Sequence, residues 1–192
     1  MKLRDLVPEL FPEDQREQAL ELIEDYDECD AEELFDKYPE LFADYEDAED
    51  FEAEAEDGTV GLGTLLVWNM VERGLLLQLD WSGEEDDNEV ADYVNYRLEL
   101  LDDDGLEVSA DELYERFRED AASANPQLQR GDHLPALFQY LNRQLRPHGY
   151  RLLCFDANCD QYYIGVFPQE RAKWLLTANP TDVGIFDVDE IE

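Results

Sequence analysis

Residues 151–167 have the sequence RLLCFDANCDQYYIGVF, which is the clearest fold signal in the chain. Two apolar arms, residues 151–155 and 162–167, flank a polar segment rich in Asp and Asn, as in a β-hairpin with its turn. Two further stretches, LLLQLDW at 75–81 and GIFDV at 184–188, have the apolar composition of short buried strands. The sequence therefore predicts a small, mainly antiparallel sheet of three or four strands.

Helical patterns surround these strands. Apolar residues recur at helical spacing through most of residues 1–57, and Asp30 with Glu33 has the pattern of a capping box. The glycine-rich segment GTVGLG, residues 58–63, predicts a loop after them. We therefore expect an α+β fold in which helices cover the sheet, with residues 1–57 as an acidic helical region and residues 64–192 as the α+β core. The pattern is equally compatible with one continuous domain.

The chain is strongly acidic, with 51 Asp and Glu, 14 Lys and Arg and a formal net charge of −37 over 192 residues. Residues 1–57 hold 24 acidic and 4 basic residues, whereas residues 121–192 hold 9 and 6. Such a charge repels the phosphates of nucleic acids and anionic lipids, which argues against direct binding of either. No apolar run resembles a membrane helix or a secretion signal, and the 3 Cys include no CxxC, so we expect a cytoplasmic protein.

The densest acidic run lies in the third predicted helix, whose apolar stripe extends from Leu41 to Ala55. With a rise of ~1.5 Å per residue, its carboxylates approach the ~1.7 Å axial charge spacing of duplex DNA. Like charges at i,i+4 cost roughly 0.2–0.5 kcal/mol per pair, so its C-terminal end should fray without packing or a cationic partner. A basic protein is therefore the expected partner, and the expected contact residues are Asp44, Glu46, Asp47, Glu49, Asp50, Glu52, Glu54 and Glu56. The alternative is that these acids form only the solvated face of a packed helix.

Residues 156–162, DANCDQY, resemble the start of a calcium-binding loop, because Asp156, Asn158 and Asp160 place oxygens at its first, third and fifth positions. Gln161 stands where that loop needs Gly, and its flanks are strands rather than helices. Asp and Asn also bond their own backbone in hairpin turns. We therefore interpret the segment as a turn, with no metal or cofactor expected.

Asp80 lies near the end of an apolar strand, where a carboxylate can be desolvated as acid–base catalysis requires. A metal-assisted enzyme with Asp80, Asp156 and Asp160 at neighbouring strand ends is therefore the alternative to a binding function. Cys154 and Cys159 are expected on opposite arms of the hairpin, with no adjacent His or Lys to activate a thiol. We assign no catalytic residue and favour a protein that is not an enzyme.

Two short pieces carry a family resemblance. They are the LDW segment, residues 79–81, followed by acids, and the FD…D-x-Y hairpin of residues 155–162. With these pieces the chain resembles an uncharacterised bacterial family of small acidic cytoplasmic proteins, classed as a domain of unknown function. The resemblance covers residues 64–188, with residues 1–57 outside it, and implies a compact α+β domain without supplying an activity.

The expected function is therefore that of a non-enzymatic acidic binding protein, which presents carboxylates to a basic protein. An immunity-like inhibitor, or a regulator that mimics nucleic-acid charge, would use this chemistry and would bind less tightly as salt rises. A further alternative is salt adaptation with no dedicated partner, because Lys is scarce, with 3 Lys against 11 Arg. Salt adaptation should coat the whole surface, however, and the last 72 residues are only weakly acidic.

Overall fold

The computed structural model describes residues 2–80, 88–101, 103, 106–124, 133–157, 159–178, 180 and 183–191, with the backbone alone for residues 120–124. Over these ranges the helices are α1 (Val7–Leu10), α2 (Arg16–Glu28), α3 (Ala31–Lys37), α4 (Ala48–Asp57), α5 (Leu62–Glu72), α6 (Glu89–Leu100), α7 (Ala110–Ala124), α8 (His133–Leu145) and α9 (Gln169–Ala178). The strands are β1 (Leu77–Asp80), β2 (Tyr150–Asp156), β3 (Gln161–Pro168) and β4 (Gly184–Asp187). Trp81, the last residue of the first predicted strand, lies outside the described residues.

The four strands form one antiparallel sheet in the order β1-β3-β2-β4. Strands β2 and β3 are the predicted hairpin, with Tyr150 opposite Pro168 and Phe155 opposite Tyr163. Strand β1 adds to the other side of β3, and β4 pairs with the last four residues of β2. The predicted α+β class, with a small antiparallel sheet covered by helices, is confirmed.

Helices cover both faces of the sheet, and this explains why β2 and β3 are apolar almost throughout. Phe155 and Phe167 belong to the face that packs on α1, α2, α5 and α9. Cys154 and Val166 belong to the opposite face, which packs on α6, α7 and α8. The N-terminal helices therefore share a buried core with the strands, from Leu3 onward.

A third apolar cluster joins α2, α3, α4 and α5 beside the sheet. It is rich in aromatic rings: Phe42 lies 4.6 Å from Phe51 and 5.3 Å from Phe35 between ring centroids. The capping box predicted before α3 is present, because the Glu33 amide donates to Asp30 Oδ1 at 2.9 Å and the Asp30 amide to Glu33 Oε2 at 3.4 Å. These contacts fix the helices that carry most of the acids.

The third predicted helix is shorter than expected, and the prediction of one helix from Leu41 to Ala55 is wrong. A 3-10 turn at Pro39–Phe42 is followed by irregular backbone, and α4 begins only at Ala48. The reason is Asp47, which caps α4 by accepting from the amides of Glu49 at 3.1 Å and Asp50 at 3.2 Å. Asp44 and Glu46 therefore precede the helix instead of lying on it.

The C-terminal end of α4 is also specifically closed. Gly58 adopts a left-handed conformation, with φ of +82°, and the amides of Thr59 and Val60 donate to the carbonyl of Glu54 at 3.0 and 3.2 Å. The Asp57 carboxylate accepts from the Thr59 amide at 2.9 Å. This cap stabilises α4, and so does the packing of Phe51 in the aromatic cluster. Together they offset the repulsion between the neighbouring acids of the helix.

Candidate functional site

A cleft of about 930 Å³ lies at the end of the sheet where β1 ends and β3 begins. The register places Asp80 opposite Gln161 at this end. Helix α5 contributes Trp68 and Glu72 to the lining, and residues 40–54 contribute the remaining wall. We call this feature the acidic cleft. The cleft exists because residues 40–54, which we call the acidic segment, pack through their aromatic residues against α5, and α5 lies under the same sheet edge.

Eight carboxylates line the acidic cleft. Those of the N-terminal segment are Glu40, Asp44, Glu46, Asp50 and Glu54, and those of α5 and the sheet end are Glu72, Asp80 and Asp160. Among the described residues, no Lys, Arg or His side chain lines it. A concave surface lined by one sign of charge focuses its potential, so the cleft attracts cations.

The floor of the acidic cleft is a hydrogen-bonded group of aromatic and amide side chains. Trp68 Nε1 donates to Tyr163 Oη at 3.2 Å, and Tyr163 Oη donates to Gln161 Oε1 at 2.9 Å. Gln78 Nε2 donates to the same Gln161 oxygen at 2.7 Å, and Cys159 Sγ lies 3.4 Å from Tyr163 Oη. Burial, followed by the contact with Cys159, raises the pKa of Tyr163, so its hydroxyl stays protonated. The floor is therefore neutral and rigid beneath the charged rim.

Tyr45 forms part of the side wall. Its hydroxyl donates to Glu54 Oε2 at 2.6 Å, and its ring centroid lies 6.2 Å from that of Trp68. Burial and the bond to Glu54 raise the pKa of Tyr45. Glu54 is consequently held against the wall by a charge-assisted hydrogen bond, while Asp44 and Asp50 are exposed.

The eight acids predicted to contact a partner do not share one surface. Asp44, Glu46, Asp50 and Glu54 line the acidic cleft, and a second depression of about 600 Å³ on the other side of the segment is lined by Glu46, Asp47, Glu49 and Glu52, together with Asp30 and Glu32 from the start of α3. Glu56 lines neither depression. Within α4 the helical period causes this division, because Asp50 and Glu54 are four residues apart and line the acidic cleft, whereas Glu49 and Glu52 line the other depression.

The residues of the predicted turn and of the enzyme alternative are only partly brought together. Asp80 and Asp160 line the acidic cleft, whereas Asp156 lies on β2 opposite Gly184 and is not part of the lining. Asn158 lies outside the described residues. Over the described ranges, no three His, Cys, Asp or Glu side chains are grouped so that they could hold a metal ion.

The cysteines differ from expectation in position and exposure. Cys154 is buried on β2, but Cys159 lies in the turn before β3 instead of on the opposite arm, and it is exposed. The turn is one residue shorter at each end than predicted, because β2 ends at Asp156 and β3 begins at Gln161. All three cysteines are free thiols, and burial raises the pKa of Cys154 to about 11.

Sequence reasoning did not place Glu40, Glu72 or Trp68 in the candidate site. Glu40 and Glu72 have no local pattern that separates them from the other acids of the chain. Trp68 carries the usable signal, because a Trp on an apolar helix combines a ring that packs with an N–H group that needs a hydrogen-bond partner. No helix among the described residues is long and apolar enough to span a membrane.

Comparison with known proteins adds a family. A family model described as "Domain of unknown function (DUF6630)" matches residues 3–179. The chain belongs to the DUF6630 family. The match to DUF6630 begins at residue 3, so the expectation that residues 1–57 lie outside the family resemblance is wrong; these helices supply part of the core that covers the sheet. No curated protein and no solved structure matches the chain.

Proposed function

We propose that this chain is a non-enzymatic, cytoplasmic binding protein whose acidic cleft receives a Lys- or Arg-rich segment of a partner protein. The observation that carries the proposal is a cleft with eight carboxylates and, within the described lining, no basic side chain. Keeping so many like charges together is unfavourable in the free protein. A cationic occupant relieves this repulsion, and binding gains from it.

The size and floor of the acidic cleft fit basic side chains. A volume of about 930 Å³ is at the upper end of the range for ligand pockets and admits several side chains of a peptide. The half-buried rings of Trp68 and Tyr45 are next to the carboxylates, and a guanidinium or ammonium group gains further energy over such a ring. An inhibitor of a basic toxin and a mimic of nucleic-acid charge both require this surface.

The test compares two triple variants with the same net charge. One neutralises the cleft acids Asp44, Glu46 and Asp50, and the other neutralises three exposed acids outside the two acidic depressions, Glu13, Glu17 and Asp27. Binding of an octa-arginine peptide is measured by titration calorimetry at low salt and at 0.5 M salt. Each surface charge pair contributes about 0.2–1 kcal/mol, so loss of three pairs should weaken binding by the cleft variant by about 3-fold to 150-fold.

The control variant should bind within twofold of the unmodified protein, and salt should weaken the binding of both. Equal losses in the two variants would refute the cleft as the site, because the whole charge of the chain would then attract the peptide. Absence of binding, combined with stability that rises in molar salt, would instead favour salt adaptation with no dedicated partner.

A metal-assisted enzyme is the second candidate function. It is favoured by the strand order, which puts Asp80, Asp156 and Asp160 at one end of the sheet. This candidate requires that Asp80→Asn abolish binding of Mg²⁺ or Mn²⁺ while the fold survives. Calorimetry measures the metal binding. No binding by the unmodified chain, or equal binding by Asp80→Asn, would contradict the enzyme hypothesis.

A further inference from the structure

Two aromatic rings form a continuous surface in the wall of the acidic cleft. Tyr45 and Trp68 both line the cleft, with 6.2 Å between their ring centroids and 50° between their planes. Each of these side chains is half-buried. On the core side, the Tyr45 ring makes edge contacts with the buried rings of Phe42 and Phe51, at 6.2 and 6.0 Å between centroids. The aromatic surface is therefore fixed in place before a ligand binds.

The polar atom of each ring is already engaged within the protein. Tyr45 Oη donates to Glu54 Oε2 at 2.6 Å, and Trp68 Nε1 donates to the Tyr163 hydroxyl at 3.2 Å. An occupant of the cleft therefore meets these two side chains through their π surfaces and finds no free donor on them. The face of an aromatic ring carries negative potential, so this surface favours a cation.

A carboxylate is fixed at the edge of this aromatic surface. Because the Tyr45 hydroxyl bonds Glu54 Oε2, the Glu54 carboxylate lies beside the edge of the Tyr45 ring. Among the described residues, Tyr45 is the only side chain that donates to this carboxylate, so its second oxygen can accept a hydrogen bond from a ligand. The arrangement suits a ligand group that stacks on a ring with its face and donates hydrogen bonds from its edge.

An arginine side chain matches this arrangement better than a lysine side chain does. The guanidinium group is planar and weakly hydrated, so its face can stack on a ring while its N–H groups donate to a carboxylate at the edge of that ring. The ammonium group of lysine is compact and strongly hydrated, and it gains less from a half-buried aromatic surface. The exposed carboxylates of the cleft attract both cations through their charge. The aromatic surface is therefore the feature that distinguishes the two.

We propose that Tyr45, Trp68 and Glu54 form a subsite that anchors an arginine side chain of the partner, so that the acidic cleft selects Arg-rich segments over Lys-rich ones. We call these three residues the arginine subsite. The inference rests on the proposed function and adds to it the residue type that the partner must carry. The two rings receive the face of the guanidinium group, Glu54 receives its edge, and the other carboxylates of the cleft hold the remaining basic side chains.

The test measures a preference between two peptides of equal charge. Octa-arginine and octa-lysine are each titrated into the full chain by calorimetry at low salt, and the ratio of their dissociation constants is compared between variants. This ratio removes the general attraction of an acidic chain for any cation. Octa-arginine should bind about 5-fold to 30-fold more tightly than octa-lysine to the unmodified protein. Equal affinities for the two peptides would overturn the inference.

Four variants show whether the preference comes from the arginine subsite. Trp68→Leu and Tyr45→Leu each remove one ring and should lower the ratio at least about threefold, mainly by weakening the binding of octa-arginine. Trp68→Phe keeps a ring and loses only the indole N–H, so it should retain most of the preference. Trp174→Leu is the matched control, because Trp174 lies on α9 outside the cleft lining and is 39% exposed. This control should leave the ratio unchanged.

The outcomes separate this inference from the proposed function. If both peptides bind and the ratio is the same in every variant, the arginine subsite is wrong, while the acidic cleft remains the binding site. If neither peptide binds, or if neutralising the cleft acids leaves binding unchanged, the proposed function fails and the subsite fails with it. Circular dichroism checks that each variant folds. If Trp68→Leu does not fold, Tyr45→Leu decides, because Tyr45 lies in the irregular backbone before α4.

Discussion

Substitution of Asn142 by Ala tests how the end of the sheet is held together. Asn142 is completely buried on α8, and Leu152 on β2 donates its amide to Asn142 Oδ1 at 3.0 Å. Strand β4 pairs only with the last four residues of β2, so Leu152 lies just beyond the point where β4 ends. The side chain of Asn142 takes the place of the missing strand at this position.

The amide nitrogen of Asn142 makes two further bonds. It donates to Asp187 Oδ1 at 2.9 Å and to Asp189 Oδ1 at 3.1 Å. Asp187 also pairs with Arg151 at 2.6 Å, so its charge keeps a partner when Asn142 is removed. The loss is therefore that of the Asn142 bonds, without the cost of an isolated buried carboxylate.

The loss of stability expected for Asn142→Ala follows from these contacts. An unsatisfied buried amide costs about 1–3 kcal/mol, and a hydrogen bond to a charged group contributes about 1.5–3 kcal/mol. Allowing for the partial exposure of Asp189, we expect Asn142→Ala to lower the free energy of unfolding by about 3–4 kcal/mol, or the Tm by about 6–15 °C. Urea unfolding followed by circular dichroism measures the first value, and calorimetry measures the second.

Asn142→Asp is the matched variant. It can still accept from the Leu152 amide, but it places a third carboxylate beside Asp187 and Asp189. Its destabilisation at pH 7 should be at least as large as that of Asn142→Ala, and it should shrink as the pH falls and the carboxylates become protonated. A loss below about 1 kcal/mol in Asn142→Ala would refute the reasoning, because the amide of Leu152 would then find another partner.

Three other outcomes are expected. Gly165→Ala should lose about 1–3 kcal/mol of stability in calorimetry, because the added methyl would lie 2.6 Å from Leu76 Cδ2 in the packed core; unchanged stability would mean that this packing is loose. Hydrogen bonds from Lys37 and Tyr38 hold the pKa of Asp25 below its ordinary value, so Asp25 stabilises the fold above the unfolded-state pKa and loses this effect as the pH falls through the folded-state pKa. Asp25→Asn should therefore cost stability at pH 7 and little at pH 2, and a difference that is constant with pH would contradict the assignment. A thiol reagent at pH 8 should modify exposed Cys159 much faster than buried Cys154, as followed by mass spectrometry, and the two rates should become equal in the unfolded protein. Equal rates in the folded protein would show that Cys154 is exposed to solvent.

The strands and most helices could be predicted because their signals are local. The hairpin arms, the capping box at Asp30 and the strand at residues 184–188 each depend on composition within a few residues. The break before α4 could not be predicted in this way. Asp44, Asp47 and Asp50 are all suitable helix caps, and only the packing of Phe42 and Phe51 selects Asp47.

The candidate site is harder to predict from the sequence than the helices and strands are. The acidic cleft depends on a tertiary contact that brings residues 40–54 beside Asp80 and Asp160. No local sequence pattern in either segment predicts that the two segments meet. The buried charge of Arg97 has the same character. Arg97 is 5% exposed, and an Arg on a helix that is otherwise amphipathic gives no sign of burial.

The packing of the N-terminal helices on the sheet has a consequence for how the acids act. A disordered acidic tail must give up conformational freedom when it meets a partner, and this loss weakens binding. Here the carboxylates of residues 40–54 are attached to elements that already share a core with α5, so their spacing is set before any encounter. The acidic segment is therefore preorganised, and under the proposed function its selectivity among cationic partners would depend on geometry as well as on charge.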